Sequence, residues 1–339
     1  MRYRAFPMPY KHNESRRHHF KPARYKVSNW KEYNESLKQR GNLTIWFSER
    51  SIKHWYAKKN GKAHGQRVYS NLAIEAASLV RLVFHLPYRQ TTGFMASISK
   101  LMGVDLRIPD FSTLSRRMKT LNVRLSLPTE HKSGTTIIID GSGLSVHGAK
   151  EAFGADEKSL EKRGYRRIHL AINEHQEITA CELTTLHGNE KKEFKNLLKR
   201  INDHCNTILA DKNYDAKSVY EAIKKHRPTD FVRPVKRDTY TVLIPPRINA
   251  KIRKTRRKFP IERSQHIAYI NEYGVLNWQK KTGYNQRSLV EVAFSRYKRI
   301  FGDKMRCINL NNQKVEARLA CKALNKMSVL GMPQTSRVA

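Results

Sequence analysis

The run Thr135-Thr-Ile-Ile-Ile-Asp140 constrains this chain's fold more than any other segment. Continuous β-branched residues without polar alternation belong to a strand buried on both faces, which needs structure packed above and below it. Residues 167–173 alternate instead, and residues 177–185 follow after a turn, so the two read as a hairpin. Asn206-Thr-Ile-Leu-Ala-Asp211 is a further apolar strand, with helical patterns at residues 189–201 and 217–226 on either side. Strands interleaved with helices predict an α/β domain.

Residues 30–121 carry helical periodicity. Ser70 is placed to cap a helix running to about residue 86, where Pro87 helps stop it. A second helix fits residues 88–101, with Gly103 at its end. Asp110 is a good cap for a third, in which Phe111, Leu114, Met118 and Leu121 form one apolar face. Its other face shows Ser112, Ser115, Arg116 and Lys119, with Arg117 beside them. This short helix reads either as a helix-turn-helix recognition element for DNA or as a basic surface helix packed on its neighbours. A last amphipathic helix is predicted for residues 311–330.

Charge narrows the partner. Lysine and arginine number 66 against 29 aspartates and glutamates, a net +37. An excess of this size repels itself unless it meets a polyanion, and nucleic acid is the usual one. Residues 1–28 hold eight basic residues and one acidic, interrupted by three prolines, and read as a flexible arm that orders on DNA. Residues 233–258 hold ten basic residues and one acidic, and Pro245-Pro246 favour an extended arm or loop there. His12 and His18-His19 read as part of a solvated basic arm. No apolar run approaches membrane-spanning length and no secretory signal is present, so a membrane partner is not expected. Cys181, Cys205, Cys307 and Cys321 stand far apart, which argues against a zinc site or a disulfide framework and fits a reducing cytoplasm.

Tyr284, Arg287, Glu291 and Lys298 sit at −7, −4, 0 and +7 relative to Glu291, one narrow stripe on a helix. The residues around them, Leu289, Val292, Ala293, Phe294, Tyr297, Ile300 and Phe301, are apolar enough to bury most of that helix. Half-buried charge is costly without a partner or a metal, and a phosphate with a metal ion would supply both. Asp140 and Asp211 each end a strand, where α/β sheets gather catalytic groups. Taken singly, Asp140 could start a turn, Asp211 could make an Asx-turn, and Glu291 could be a solvated helix residue. Taken together, three carboxylates suit hard divalent ions, and two such ions about 3.5–4 Å apart clamp the oxygens of an in-line phosphoryl displacement.

The spacing Tyr284-x2-Arg287-x3-Glu291-x6-Lys298 matches the YREK signature, and the chain resembles the DDE transposases of bacterial insertion sequences, family five most closely. Residues 33–46, 109–117, 140–144 and 323–327 are similar to that family as well, so the resemblance runs from about residue 30 to the C-terminus. It implies a ribonuclease-H-like core, a mixed sheet flanked by helices, with Asp140, Asp211 and Glu291 as both the catalytic and the metal-binding triad. It further implies that Tyr284, Arg287 and Lys298 hold phosphates of the transposon end. Relatives usually carry glycine two residues after the second aspartate, where this chain has Asn213, a residue that tolerates left-handed backbone.

The expected organisation is a basic arm at 1–28, a helical DNA-binding domain at 29–130, and a catalytic domain at 131–339 with a basic insertion at about 228–283. The expected function is a transposase using two Mg²⁺ ions, with Mn²⁺ able to substitute, and acting as a homodimer or larger assembly on double-stranded DNA in the bacterial nucleoid. Trp278 is a candidate for stacking on an unpaired base, or a core tryptophan. The rival reading is a decayed or repurposed transposase that binds DNA without catalysis.

Overall fold

The computed structural model describes residues 24–58, 61, 67–125, 135–146, 164–186, 188–201, 205–226, 241–252 and 261–338. Most of the basic arm, residues 227–240 and residues 253–260 lie outside the described residues.

The chain opens with β1 (Arg24–Val27) and α1 (Trp30–Arg40), followed by α2 (Leu43–Trp46) and α3 (Glu49–Lys53). Next come α4 (Asn71–Val83), α5 (Tyr88–Leu101) and α6 (Phe111–Met118). The caps are those the residue types prescribe: Ser70 Oγ accepts from Ala73 N at 3.1 Å and Asp110 Oδ1 from Ser112 N at 2.9 Å. Residues 102–110 separate α5 from α6, a longer connection than the turn of about three to four residues in a helix-turn-helix.

The sheet begins with β2 (Thr135–Val146), β3 (Arg166–Asn173) and β4 (Ile178–Thr185). α7 (Glu190–Leu198), β5 (Cys205–Ala210), a 3-10 turn at Lys212–Tyr214, α8 (Lys217–His226) and β6 (Thr241–Leu243) follow. The chain finishes with α9 (Ile261–Tyr273), α10 (Val275–Thr282), a 3-10 turn at Tyr284–Arg287, α11 (Ser288–Phe301), β7 (Lys304–Met305), α12 (Leu310–Leu330) and β8 (Thr335–Val338). Strand order is β4-β3-β2-β5-β6, with β7 pairing the far end of β2. β3 runs antiparallel to both β2 and β4, while β5 runs parallel to β2 and β6 parallel to β5. This mixed sheet, flanked by helices, is the architecture of a ribonuclease-H-like core.

Ile137, Ile138 and Ile139 are all fully buried, as the β-branched run requires. Alternation along β2 sends Ile137 and Ile139 into an apolar cluster with Phe194 of α7 and Val219 of α8. Ile138 points the other way, into a larger cluster with Val290 and Phe294 of α11 and Leu319 of α12. Burying each such side chain contributes about 1.5–3 kcal/mol. The larger cluster also takes in Ile74, Met95 and Leu114 from α4, α5 and α6, so these helices and the sheet share one core.

Several sequence expectations change; Asp140, read as ending a strand, lies inside β2, which runs on to Val146. The segment read as an arm or loop at 233–258 contains a strand, β6, because Val242, Leu243 and Ile244 are apolar and buried. The stripe from Tyr284 to Lys298 does not lie on one helix. Gly283 adopts a left-handed φ of 70° that ends α10, a 3-10 turn carries Tyr284 to Arg287, and α11 starts only at Ser288. Asn213 does not need left-handed backbone, since it sits inside the 3-10 turn and is absent from the positive-φ residues.

The described parts of Met1–Gly41 and Leu330–Ala339 form one compact unit and Asn42–Val329 the other. In the first, β1 pairs antiparallel with β8, and Asn29 Nδ2 donates to Met332 O at 3.0 Å. Residues 24–27 are therefore strand rather than arm. Among the described residues, no helix is long and apolar enough to cross a membrane.

Candidate active site

Strand register carries the two aspartates to one place. β2 and β5 are parallel with Ile139 opposite Ala210, so Asp140 and Asp211 are the next residues on adjacent strands. Neighbouring strands lie about 4.8 Å apart. Alternation puts Asp140 on the same face as Ile138, the face that α11 covers. Its Oδ1 accepts from Gly141 N at 2.8 Å. Burial pushes the Asp140 carboxyl above its usual value, Arg287 opposes the shift, and the charges of Asp211 and Glu291 add to it. Asp211 caps the 3-10 turn through Oδ1, which accepts from Lys212 N at 2.7 Å.

Arg287 joins the third carboxylate to the first. Its Nη2 donates to Asp140 Oδ2 at 2.5 Å and its Nη1 to Glu291 Oε1 at 2.5 Å. The arginine and aspartate side chains are largely covered, whereas Glu291 is half exposed. Arg287 Nε is buried and has no hydrogen-bond partner. A single guanidinium thus bridges two carboxylates and offsets half of their charge.

The donor set is all oxygen and fits a hard divalent ion. Among the described residues, no three acidic, histidine or cysteine side chains already close on one point. The Arg287 guanidinium stands between Asp140 and Glu291 instead.

The other residues of the stripe are placed differently. Tyr284 is buried, and its hydroxyl donates to Ala210 O at 3.1 Å, tying the 3-10 turn to the residue before Asp211. Lys298 is two turns beyond Glu291 on α11; burial lowers its ammonium, and Asp303 opposes that shift.

Two DNA-binding expectations are corrected. Trp278 is 1% exposed, its Nε1 donates to His266 Nδ1 at 3.0 Å, and its ring centroid lies 5.1 Å from that of Tyr284. A ring so buried offers no face to a base. Arg117 is a tie within the fold: Nη1 donates to Tyr69 O at 2.9 Å and Nη2 to Asn71 Oδ1 at 2.8 Å. Ser112, Arg116 and Lys119 are exposed on α6, which packs on α4 and α5. Ser115 is partly covered, and its carbonyl accepts from Asn312 Nδ2 at 3.3 Å.

Two polar groups near the site escaped the sequence reading. Asp215 has no exposed side-chain surface and accepts from Arg263 at 2.6 and 2.7 Å, from Arg247 N at 3.0 Å and from the Tyr220 hydroxyl at 3.2 Å. Burial alone would raise this carboxyl, but the arginine and backbone donors outweigh burial and hold it below its usual value. The repeated aspartate in Asp211-Lys-Asn-Tyr-Asp215 was a signal; Arg263, one cation among 66, gave none. His169, fully buried in β3, faces Gly141. A Cβ at Gly141 would stand 3.1 Å from His169 Nδ1, so the lack of a side chain beside Asp140 lets the imidazole approach.

A family model described as Transposase DDE domain matches residues 131–326, more than half of the chain and inclusive of Asp140, Asp211 and Glu291. A second model of the same description matches residues 38–149.

Proposed function

The chain belongs to the transposase DDE domain family, and we propose that it binds the terminal inverted repeats of a bacterial insertion sequence, cleaves the element ends and joins the freed 3′-hydroxyl to target DNA. The observation that carries this reading is the Arg287 bridge between Asp140 and Glu291, beside Asp211 where the pairing of two parallel strands ends. The spacing of Tyr284, Arg287, Glu291 and Lys298 supports placing the element in insertion-sequence family five.

Asp140, Asp211 and Glu291 are the proposed ligands for Mg²⁺, with Mn²⁺ able to substitute. Two bound ions would supply the clamp on attacking and leaving oxygens that in-line phosphoryl transfer needs. Arg287 offsets part of the triad's negative charge, and once its place is taken its forked donors suit a DNA phosphate bidentately. Lys298 supplies a second cation farther along α11. Tyr284 fixes the backbone of Ala210 and so the direction in which Asp211 leaves β5. Ser112, Arg116 and Lys119 on α6 are proposed contacts to the inverted repeat, within a helical region at 29–130 that positions the catalytic region at 131–339 on DNA. The basic arm at 1–28 and the insertion at 228–283 add phosphate contacts. Two element ends must meet in one complex, so a homodimer or larger assembly on nucleoid DNA is the proposed working form.

The test is incubation of the protein with a duplex carrying the element end, a target duplex and Mg²⁺. The expected products are a nicked end and a joined strand, both abolished by chelator. Binding without any metal-dependent product would instead favour a DNA-binding protein that has lost catalysis.

A further inference from the structure

The outer edge of the sheet carries a second basic feature. β4 is the last strand on its side, and two cavities of about 480 and 750 Å³ run along it, one lined by Thr179–Cys181 and the next by Glu182–Thr185. Both include Arg200 and Arg318, so they form one groove. At about 3.4 Å per residue, that edge is roughly 20 Å long. Lys192 of α7 and Lys199 just beyond it line one wall; Lys314 and Arg318 of α12 line the other.

The groove's charge is arranged rather than scattered. Glu182 on the floor binds Arg200 from one wall and Arg318 from the other. One carboxylate thus holds two guanidiniums across the groove, and Arg318 Nε is buried without a hydrogen-bond partner. Lys192, Lys199 and Lys314 have no acidic partner among the described residues, and Arg124 adds a cation at the far end. Glu193 is the remaining acidic side chain of the lining.

An open strand edge also invites a peptide strand. Here the start of that edge is already closed, because Asn325 takes both backbone groups of Ile178, at 2.8 and 2.9 Å. The cation excess on both walls favours a polyanion. We propose that this groove is a second DNA-contact surface, holding a run of backbone phosphates away from the carboxylates of the active site. The proposal rests on DNA being the substrate.

The test is the salt dependence of duplex binding, measured without metal ions for Lys192→Gln/Lys199→Gln/Lys314→Gln and for a control at three exposed lysines, Lys53→Gln/Lys224→Gln/Lys225→Gln. Each lost phosphate contact flattens the slope of log K against log salt by about 0.9, so the groove variant should be shallower by roughly 2.7 and the control by much less. Equal slopes in the two variants would overturn the proposal. Lysine acetylation of the unaltered protein gives a reading independent of variant folding: DNA should shield Lys192, Lys199 and Lys314 but not Lys53, Lys224 and Lys225. Labelling that DNA leaves unchanged, or shielding by an extended polyglutamate peptide and not by DNA, would also overturn it. Because no metal is present, such a failure leaves the cleavage reading standing, whereas wild type that binds DNA through the groove but cuts nothing once Mg²⁺ is added would remove that reading alone.

Discussion

Arg287 Nη2 lies 2.5 Å from Asp140 Oδ2, so the arginine of the stripe is engaged with a carboxylate and not free for DNA. Metal entry has to break this contact and its counterpart to Glu291. Hydrogen bonds to charged groups contribute about 1.5–3 kcal/mol each, and about 1.4 kcal/mol is a tenfold change in affinity. Arg287→Gln should therefore bind Mn²⁺ about a hundredfold more tightly by titration calorimetry at pH 8, while end cleavage falls by roughly 10²-fold or more. Weaker Mn²⁺ binding in the variant would show that the arginine assembles the site and does not compete for it.

Tyr284→Phe removes the hydroxyl that donates to Ala210 O and keeps the ring. The expected loss is about 1 kcal/mol of stability, with affinity for the element-end duplex within twofold of wild type. Unchanged thermal stability together with a tenfold loss of affinity would return the hydroxyl to phosphate binding.

Asp215 and Arg263 anchor the turn that follows Asp211. Arg263→Met leaves a buried aspartate without its main partner and should cost about 3–5 kcal/mol, loosening Mn²⁺ binding at the same time. The double variant Asp215→Asn/Arg263→Met removes the stranded charge and should recover much of the stability. Equal destabilisation by the single and double variants in chemical denaturation would contradict the pairing.

His169 gives the protein a defined acid sensitivity. Burial, helped by Arg167, lowers its imidazole to about 4 from an ordinary 6.5. The unfolded chain therefore takes up the proton first, and stability is lost as pH falls from 6.5 toward 4. A shift of that size corresponds to roughly 3 kcal/mol. His169→Gln should lose correspondingly less stability between pH 7 and pH 4.5 in urea denaturation. The same pH dependence in both proteins would mean that His169 is not held neutral.

Much of the fold was legible in the chain. The β-branched run before Asp140, the hairpin around residues 173–177, and the capping residues Ser70 and Asp110 each state a local preference that the packing keeps. Tertiary effects decided the rest. The 3-10 turn at Tyr284–Arg287 broke a stripe that periodicity alone joined into one helix. β6 was hidden in a basic segment because three apolar residues suffice when they add to an existing sheet edge. For Trp278 and Arg117, residue type gave no direction: an indole or a guanidinium can serve DNA or the core, and only their neighbours show that these two serve the core. Asp211 follows the end of β5 as the sequence suggested, whereas Asp140 lies inside β2, and the Arg287 bridge depends on a register and a turn that spacing does not encode.

The most direct measurement of the central claim is anomalous diffraction from crystals soaked in Mn²⁺. The account predicts density bounded by Asp140, Asp211 and Glu291, with the Arg287 guanidinium moved off both carboxylates. Manganese bound elsewhere, or an Arg287 bridge that persists at saturating metal, would contradict it.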